Sequence, residues 1–130
     1  MTATPRTVLL IDDDEFLRDM YARKFREHDV SVEALGSARE ALEKLRAGSM
    51  PDIIVFDIVM PGVDGFALLE TLKKEGLGAQ AVKVALTNQS SDEDAERAKA
   101  LGAKAFLVKA ELTPSEVIVA VLATAQSGAA

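Results

Sequence analysis

Five side chains in this sequence could together handle a divalent metal ion and a phosphoryl group: Asp12, Asp13, Asp57, Thr87 and Lys109. Each stands where a short apolar run ends. Asp12 and Asp13 follow Val8-Leu9-Leu10-Ile11, Asp57 follows Ile53-Ile54-Val55-Phe56, Thr87 follows the run from Val82 to Leu86, and Lys109 follows Phe106-Leu107-Val108. As parallel strands of one open sheet, these runs would end at a common crevice, where such sheets bind ligands. Carboxylates crowded together repel one another unless a cation neutralises them. Mg2+ is commonly held by one or two carboxylates while it keeps water and substrate oxygens. A carboxylate such as Asp57 can act as a nucleophile and form an aspartyl phosphate. The hydroxyl of Thr87 and the ammonium of Lys109 suit the phosphoryl oxygens, opposite the metal.

Taken singly, several of these residues have plainer explanations. Acidic residues entering a helix are favoured by its dipole and its caps, and Asp14 and Glu15 need no other account. Asp57 alone would cap the turn Met60-Pro61-Gly62, Thr87 would be a strand-end hydroxyl, and Lys109 would be a solvated surface lysine. Their joint placement after four apolar runs favours the site, because a buried carboxylate must be paired. The other candidates are bland. His28 reads as a solvated helix-end cation, Met20 and Met60 as packing residues, and Asp92-Glu93-Asp94 as a helix start.

Strand-length apolar runs alternate with longer helical patterns, which is the signature of repeated βα units around a parallel sheet. The spacing predicts strands over 7–11, 30–35, 52–56, 82–86 and 105–108. The second should be the least buried, since Ser31 and Glu33 alternate with Val30, Val32 and Ala34. Ser37 to Glu40 and Thr113 to Glu116 read as capping boxes, the latter with Pro114 at the first helical position, and Ser91 caps a third helix. Phe16, Met20 and Phe25 recur near helical period, as do Ala41 with Leu45, Leu68 with Leu72, and Val117 with Val121. Gly48, Gly76 and Gly102 stand where helices should stop. The expected architecture is α/β, as one domain over 1–130 with a core of about 6–125 and a short flexible tail at 126–130.

Composition narrows the function classes. At 130 residues, 48% hydrophobic and 28% charged, the chain has the make-up of one soluble globular domain. A net charge of −6 argues against nucleic acid as a partner, because duplex binding rests on Lys and Arg neutralising phosphates. With no cysteine there are no disulfides and no thiolate metal sites, as suits a reducing cytosol. No apolar run approaches the roughly 20 residues that span a bilayer, and 1–6 lack the apolar core of a signal peptide. Cytoplasmic residence without membrane attachment is the resulting expectation.

The chain resembles the receiver domain of bacterial two-component response regulators from Val8 to about Ala125. The resemblance rests on Leu9-Leu10-Ile11-Asp12-Asp13, on Asp57-Ile58-Val59-Met60-Pro61-Gly62-Val63-Asp64-Gly65, on Thr87 and on Phe106-Leu107-Val108-Lys109, in order and at family-like spacing. It implies a flavodoxin-like, doubly wound, five-stranded parallel sheet of order 2-1-3-4-5 with helices on both faces. It also implies a signalling switch that catalyses only its own phosphorylation and dephosphorylation. Asp57 would accept a phosphoryl group from a sensor histidine kinase or phosphotransfer protein. Asp12, Asp13, Asp57 and the Val59 main-chain carbonyl would hold Mg2+. Thr87 and Lys109 would bind phosphoryl oxygens, and their shift would be coupled to Phe106 turning inward. The surface of the fourth helix, fifth strand and fifth helix would then change its affinity for a downstream protein, with the chain a monomer or a phosphorylation-dependent dimer.

Three departures from the family pattern carry expectations of their own. Ala110 stands where the family usually has a proline joined through a cis peptide. A cis bond there would cost roughly 3–4 kcal/mol, so either a trans bond with a rebuilt loop over 109–113 or a strained cis bond is expected. Asn88 replaces a small residue and should crowd the approach to Asp57. Val59 and Gln89 bring neither acid nor base to the site, so loss of the phosphoryl group should be slow. The rival readings are a pseudo-receiver that binds partners without phosphorylation and an aspartate-nucleophile phosphohydrolase. The latter would want a second carboxylate at the position of Val59. A flavodoxin-type flavin carrier would not place Asp12 to Glu15 against a phosphate.

Overall fold

The computed structural model describes residues 7–88 and 91–128. Along the chain it runs β1 (Thr7–Ile11), α1 (Glu15–Glu27), β2 (Ser31–Leu35), α2 (Ala38–Arg46), β3 (Ile53–Phe56), α3 (Gly65–Glu75), β4 (Val82–Thr87), α4 (Asp92–Ala100), β5 (Ala103–Val108) and α5 (Pro114–Gly128). The five strands form one parallel sheet in the order β2-β1-β3-β4-β5, the expected flavodoxin-like arrangement.

Strand periodicity explains the layers. Val8 and Leu10 of β1 and Ile53 and Val55 of β3 pack with Tyr21, Ala22 and Phe25 of α1 and Val117, Ile118 and Val121 of α5. Leu9, Ile11, Ile54 and Phe56 point the other way, against α2, α3 and Ala98 of α4. Because both faces are covered, β1 and β3 are apolar at successive positions. Fully burying each Leu, Ile, Val or Phe contributes roughly 1.5–3 kcal/mol. The edge strand β2 is the least buried of the five, as expected.

Helix starts follow the expected signals. Ser37 Oγ accepts the Glu40 N–H at 3.2 Å, while Glu40 returns a bond to the Gly36 N–H, one residue ahead of the cap. Thr113 and Glu116 form the reciprocal box, and Ser91 caps α4. Gly76 ends α3 in the left-handed conformation, and Gly48 and Gly102 follow α2 and α4 with positive φ.

Three expectations are corrected. Phe16 is 76% exposed and takes no part in the core, and the buried line of α1 is Tyr21, Ala22 and Phe25 with Leu17 beside it. The periodicity misleads because Phe16 lies in the acid-capped first turn, beyond the sheet's end. β5 begins at Ala103, two residues early, because Ala103 already pairs with Lys83, ahead of a register shift between Lys83 and Val84. α5 continues to Gly128, through the first three residues of the expected tail. The described peptide bonds are all trans, and Lys109–Glu111 form a 3-10 turn, so the first of the two alternatives for Ala110 holds. No described helix is long and apolar enough to cross a membrane.

Candidate functional site

The carboxyl ends of β1, β3, β4 and β5 bring Asp12, Asp57, Thr87 and Lys109 together as buried polar residues, at 1%, 4%, 2% and 8% exposure. Asp12 and Asp57 are delivered by extending a strand. The Asp12 N–H donates to Leu35 O at 3.1 Å, and the Asp57 N–H donates to Ile11 O at 3.0 Å, so the ladder continues one residue past the apolar run. Thr87 is the last residue of β4 and lies opposite Val108, directly before Lys109.

The centre of the site is the Lys109 ammonium. Its Nζ donates to Asp12 Oδ2 at 2.7 Å and to Asp57 Oδ2 at 3.0 Å, joining residues 97 and 52 positions away. The remaining oxygens are held by the chain itself: Asp12 Oδ1 accepts the Asp14 N–H at 2.9 Å, and Asp57 Oδ1 accepts the Val59 N–H at 3.2 Å. Among the described residues no buried side-chain polar atom lacks a partner. Burial pushes the Asp57 carboxyl above its ordinary value, a rise that Lys109 partly offsets. For Lys109 burial pulls downward, but the hydrogen bond and charge of Asp12, with those of Asp57, outweigh it and raise the ammonium above its ordinary value.

Asp13 is exposed, yet it offers an oxygen that lies within 4.8 Å of ligand atoms on Asp12 and Asp57. Three carboxylates against one ammonium leave two negative charges at this point. That balance and an all-oxygen donor set match a hard divalent ion such as Mg2+. Each carboxylate oxygen that already accepts one hydrogen bond keeps a further lone pair for a metal.

Phe106 lies on β5 opposite Ala85 and is half-buried against the α2–α4 layer, two strand positions from Val108. Val59 is exposed, with its N–H turned toward Asp57. Asn88 is exposed, and Gln89 lies outside the described residues. Asp14 caps α1 by accepting the Leu17 N–H, and His28 sits exposed at the end of that helix, so neither needs a chemical role. Met60 is buried in the α2–α4 layer and Met20 packs beside the α1–α5 layer.

The sequence reasoning did not find two supporting residues. In the sequence Gly65 stands out only as the last residue of the motif that begins at Asp57. A Cβ there would lie 2.7 Å from Asp57 O and 2.8 Å from Ile58 Cα, so α3 begins pressed against the loop that carries Asp57. The Gly65 N–H donates to Ile58 O at 2.8 Å. Arg18 donates through Nη1 to Asp12 O at 2.9 Å. An arginine six residues beyond an aspartate carries no signal of that contact.

Residues 8–122 match the family model described as the response regulator receiver domain. An uncharacterized 14.6 kDa protein of Leptolyngbya boryana is 30% identical over 117 residues, 90% of this chain and 88% of its own length. The gliding motility regulatory protein of Myxococcus xanthus is 35% identical over 105 residues, 81% of this chain but only 13% of that longer protein. Among solved structures, the Vibrio cholerae chemotaxis protein CheY4 is 27% identical, with a TM-score of 0.83 over 92% of this chain and 98% of its own. This chain belongs to the response regulator receiver domain family.

Proposed function

We propose that this receiver domain is a phosphorylation switch in which Asp57 takes a phosphoryl group from a phosphohistidine on a sensor kinase or phosphotransfer protein. The observation that carries this reading is the convergence of the Asp12 and Asp57 carboxylates on Lys109 Nζ, with Asp13 alongside. In the transfer, a carboxylate oxygen of Asp57 bonds to phosphorus while the phosphorus–nitrogen bond of the phosphohistidine breaks. The departing imidazole nitrogen keeps the electron pair and takes up a proton.

Asp12, Asp13, Asp57 and the Val59 main-chain carbonyl would hold Mg2+, which supplies positive charge to the phosphoryl oxygens. Lys109 supplies a second positive charge from the opposite side, and Thr87 supplies a hydroxyl donor. Because Lys109 is already held between two carboxylates, a phosphoryl group on Asp57 gives its ammonium a new competing partner. Displacement at Thr87 and Lys109 is then felt along β4 and β5, where Phe106 is half-buried, and alters the face formed by α4, β5 and α5. The domain works in the cytoplasm, and its output is a protein contact rather than a turnover reaction. With Val59 exposed and apolar beside Asp57, no base there activates water, so the acyl phosphate is long-lived and Val59→Asn shortens its lifetime.

Intact-mass measurement after incubation with Mg2+ and acetyl phosphate tests the reading, with Asp57→Asn alongside. A single phosphoryl adduct absent from the variant is expected. A folded wild type that gains no adduct from this donor or from a panel of histidine kinases would overturn it in favour of a pseudo-receiver.

A further inference from the structure

Asp12 is fixed at four points. Its carboxylate oxygens accept from the Asp14 N–H and from Lys109 Nζ, its own N–H donates to Leu35 O, and its carbonyl accepts from Arg18 Nη1. The two main-chain bonds both involve the neighbourhood of the β2–α2 junction, because Leu35 ends β2 and the Arg18 guanidinium lies against Gly36, the next residue. Gly36 is not among the glycines with positive φ, so its backbone would suit other residues. What glycine supplies there is space. A Cβ at Gly36 would lie 3.0 Å from Arg18 Nη1 and 3.7 Å from Glu40 Oε2, closer to the guanidinium than side-chain carbons ordinarily come.

The Arg18 bond is not part of the helical ladder of α1, since it reaches back six residues to a carbonyl outside the helix. It acts on the strand-end turn that presents Asp12 and Asp13. A guanidinium suits this task because its planar donors are pre-organised, whereas a lysine ammonium on a flexible stem would hold the same carbonyl less firmly. Outer groups that orient ligand-bearing residues typically govern metal affinity by tenfold or more.

We propose that Arg18 is a positioning residue for the metal and phosphoryl site, acting through the main chain of Asp12, and that Gly36 provides the clearance its guanidinium requires. The inference rests on the function proposed above and adds two residues to that site.

Calorimetric titration with Mg2+ alone, combined with hydrogen exchange at the Asp14 amide and thermal melting, tests it on wild type, Arg18→Ala, Arg18→Lys, Gly36→Ala and the Arg18→Ala/Gly36→Ala pair. Arg18→Ala should weaken Mg2+ binding by about tenfold and speed exchange at the Asp14 amide, which reports on Asp12 Oδ1, with Arg18→Lys in between. Gly36→Ala should shift both readouts the same way in wild type and leave both unchanged once Arg18 is gone. A lowered melting temperature with Mg2+ affinity and Asp14 exchange unmoved would overturn the proposal, as would additive effects of the two substitutions. Should Arg18→Ala not fold, Gly36→Ala decides alone, since it displaces only the end of a flexible side chain. A wild type that neither binds Mg2+ nor takes up a phosphoryl group would fault the functional reading instead. The Asp14 exchange comparison would then still decide whether Arg18 holds the turn.

Discussion

The sheet has a partly or fully buried lysine at each end, and the two are held in opposite ways. At the carboxyl end Lys109 faces Asp12 and Asp57, and their charges raise its ammonium above the ordinary lysine value despite burial. At the amino end Lys83 of β4 donates to the main-chain carbonyls of Gly78 at 2.8 Å and Ala81 at 3.3 Å, and burial lowers it. One lysine is part of a charge cluster, and the other staples a turn. The rest of the amino end follows the second pattern: Thr7 and Asp52 clasp each other through side chain and backbone, with no metal-sized group of carboxylates among the described residues there. Among the described residues, the buried charged side chains are therefore gathered at the carboxyl end of the sheet.

Removing each lysine should break the comparison most sharply. Lys109→Met leaves two carboxylates buried without their partner, and in the presence of a chelator it should destabilise the domain by about 4 kcal/mol. Lys83→Met removes hydrogen bonds to two carbonyls that lie beside a turn and should cost about 1 kcal/mol. Urea unfolding of both variants measures the difference, and equal losses would mean that the Asp12–Lys109–Asp57 cluster is no more demanding than a turn staple.

Glycines divide between the two ends in the same way. Gly65 is needed for space, since a Cβ would meet the backbone of Asp57 and Ile58, which cannot yield without moving the site. Gly65→Ala should cost about 3 kcal/mol and slow phosphorylation as well, because the displaced loop carries Asp57. Gly102, between α4 and β5, is needed for its φ of +114°, and nothing lies within 4 Å of where a Cβ would stand. Gly102→Ala should cost only about 1 kcal/mol, as backbone strain, and leave phosphorylation unchanged. Stability curves read beside phosphorylation rates separate the two, and a Gly102→Ala domain that phosphorylates slowly would undo the division.

This contrast also explains what could be read from the chain alone. Val8 to Ile11 and Ile53 to Phe56 announce themselves because strands covered on both faces must be apolar at every position, and the residue after each run is then conspicuous for its charge. The order of the strands and the expected coupling of Thr87 to Phe106 rest on resemblance to a family and not on spacing. Phe16 misled because two residues four apart share a helical face whether or not anything covers that face. Arg18, Gly36 and the clearance at Gly65 were illegible for a different reason. An arginine bonded to a carbonyl and a glycine chosen for its missing Cβ depend on distances between segments that composition and periodicity do not encode.

The smallest expected effect is a slope rather than a loss, and it concerns Lys83. Burial lowers its pKa below the ordinary 10.5, so the folded chain releases this proton at a lower pH than the unfolded chain does. Between the two values the unfolded chain carries more bound protons, and stability rises with pH. The amine that remains still has two N–H donors for the carbonyls of Gly78 and Ala81, so deprotonation removes the desolvation cost and keeps the staple. Wild type and Lys83→Met should accordingly diverge in favour of wild type as pH climbs from neutral toward 10.5, in unfolding free energies measured at matched pH. A gap that narrows instead would mean that the positive charge is itself stabilised by the carbonyls of Gly78 and Ala81, in the connection between α3 and β4. The amino end would then be a charge site of its own, and the asymmetry between the two ends of the sheet would be one of degree.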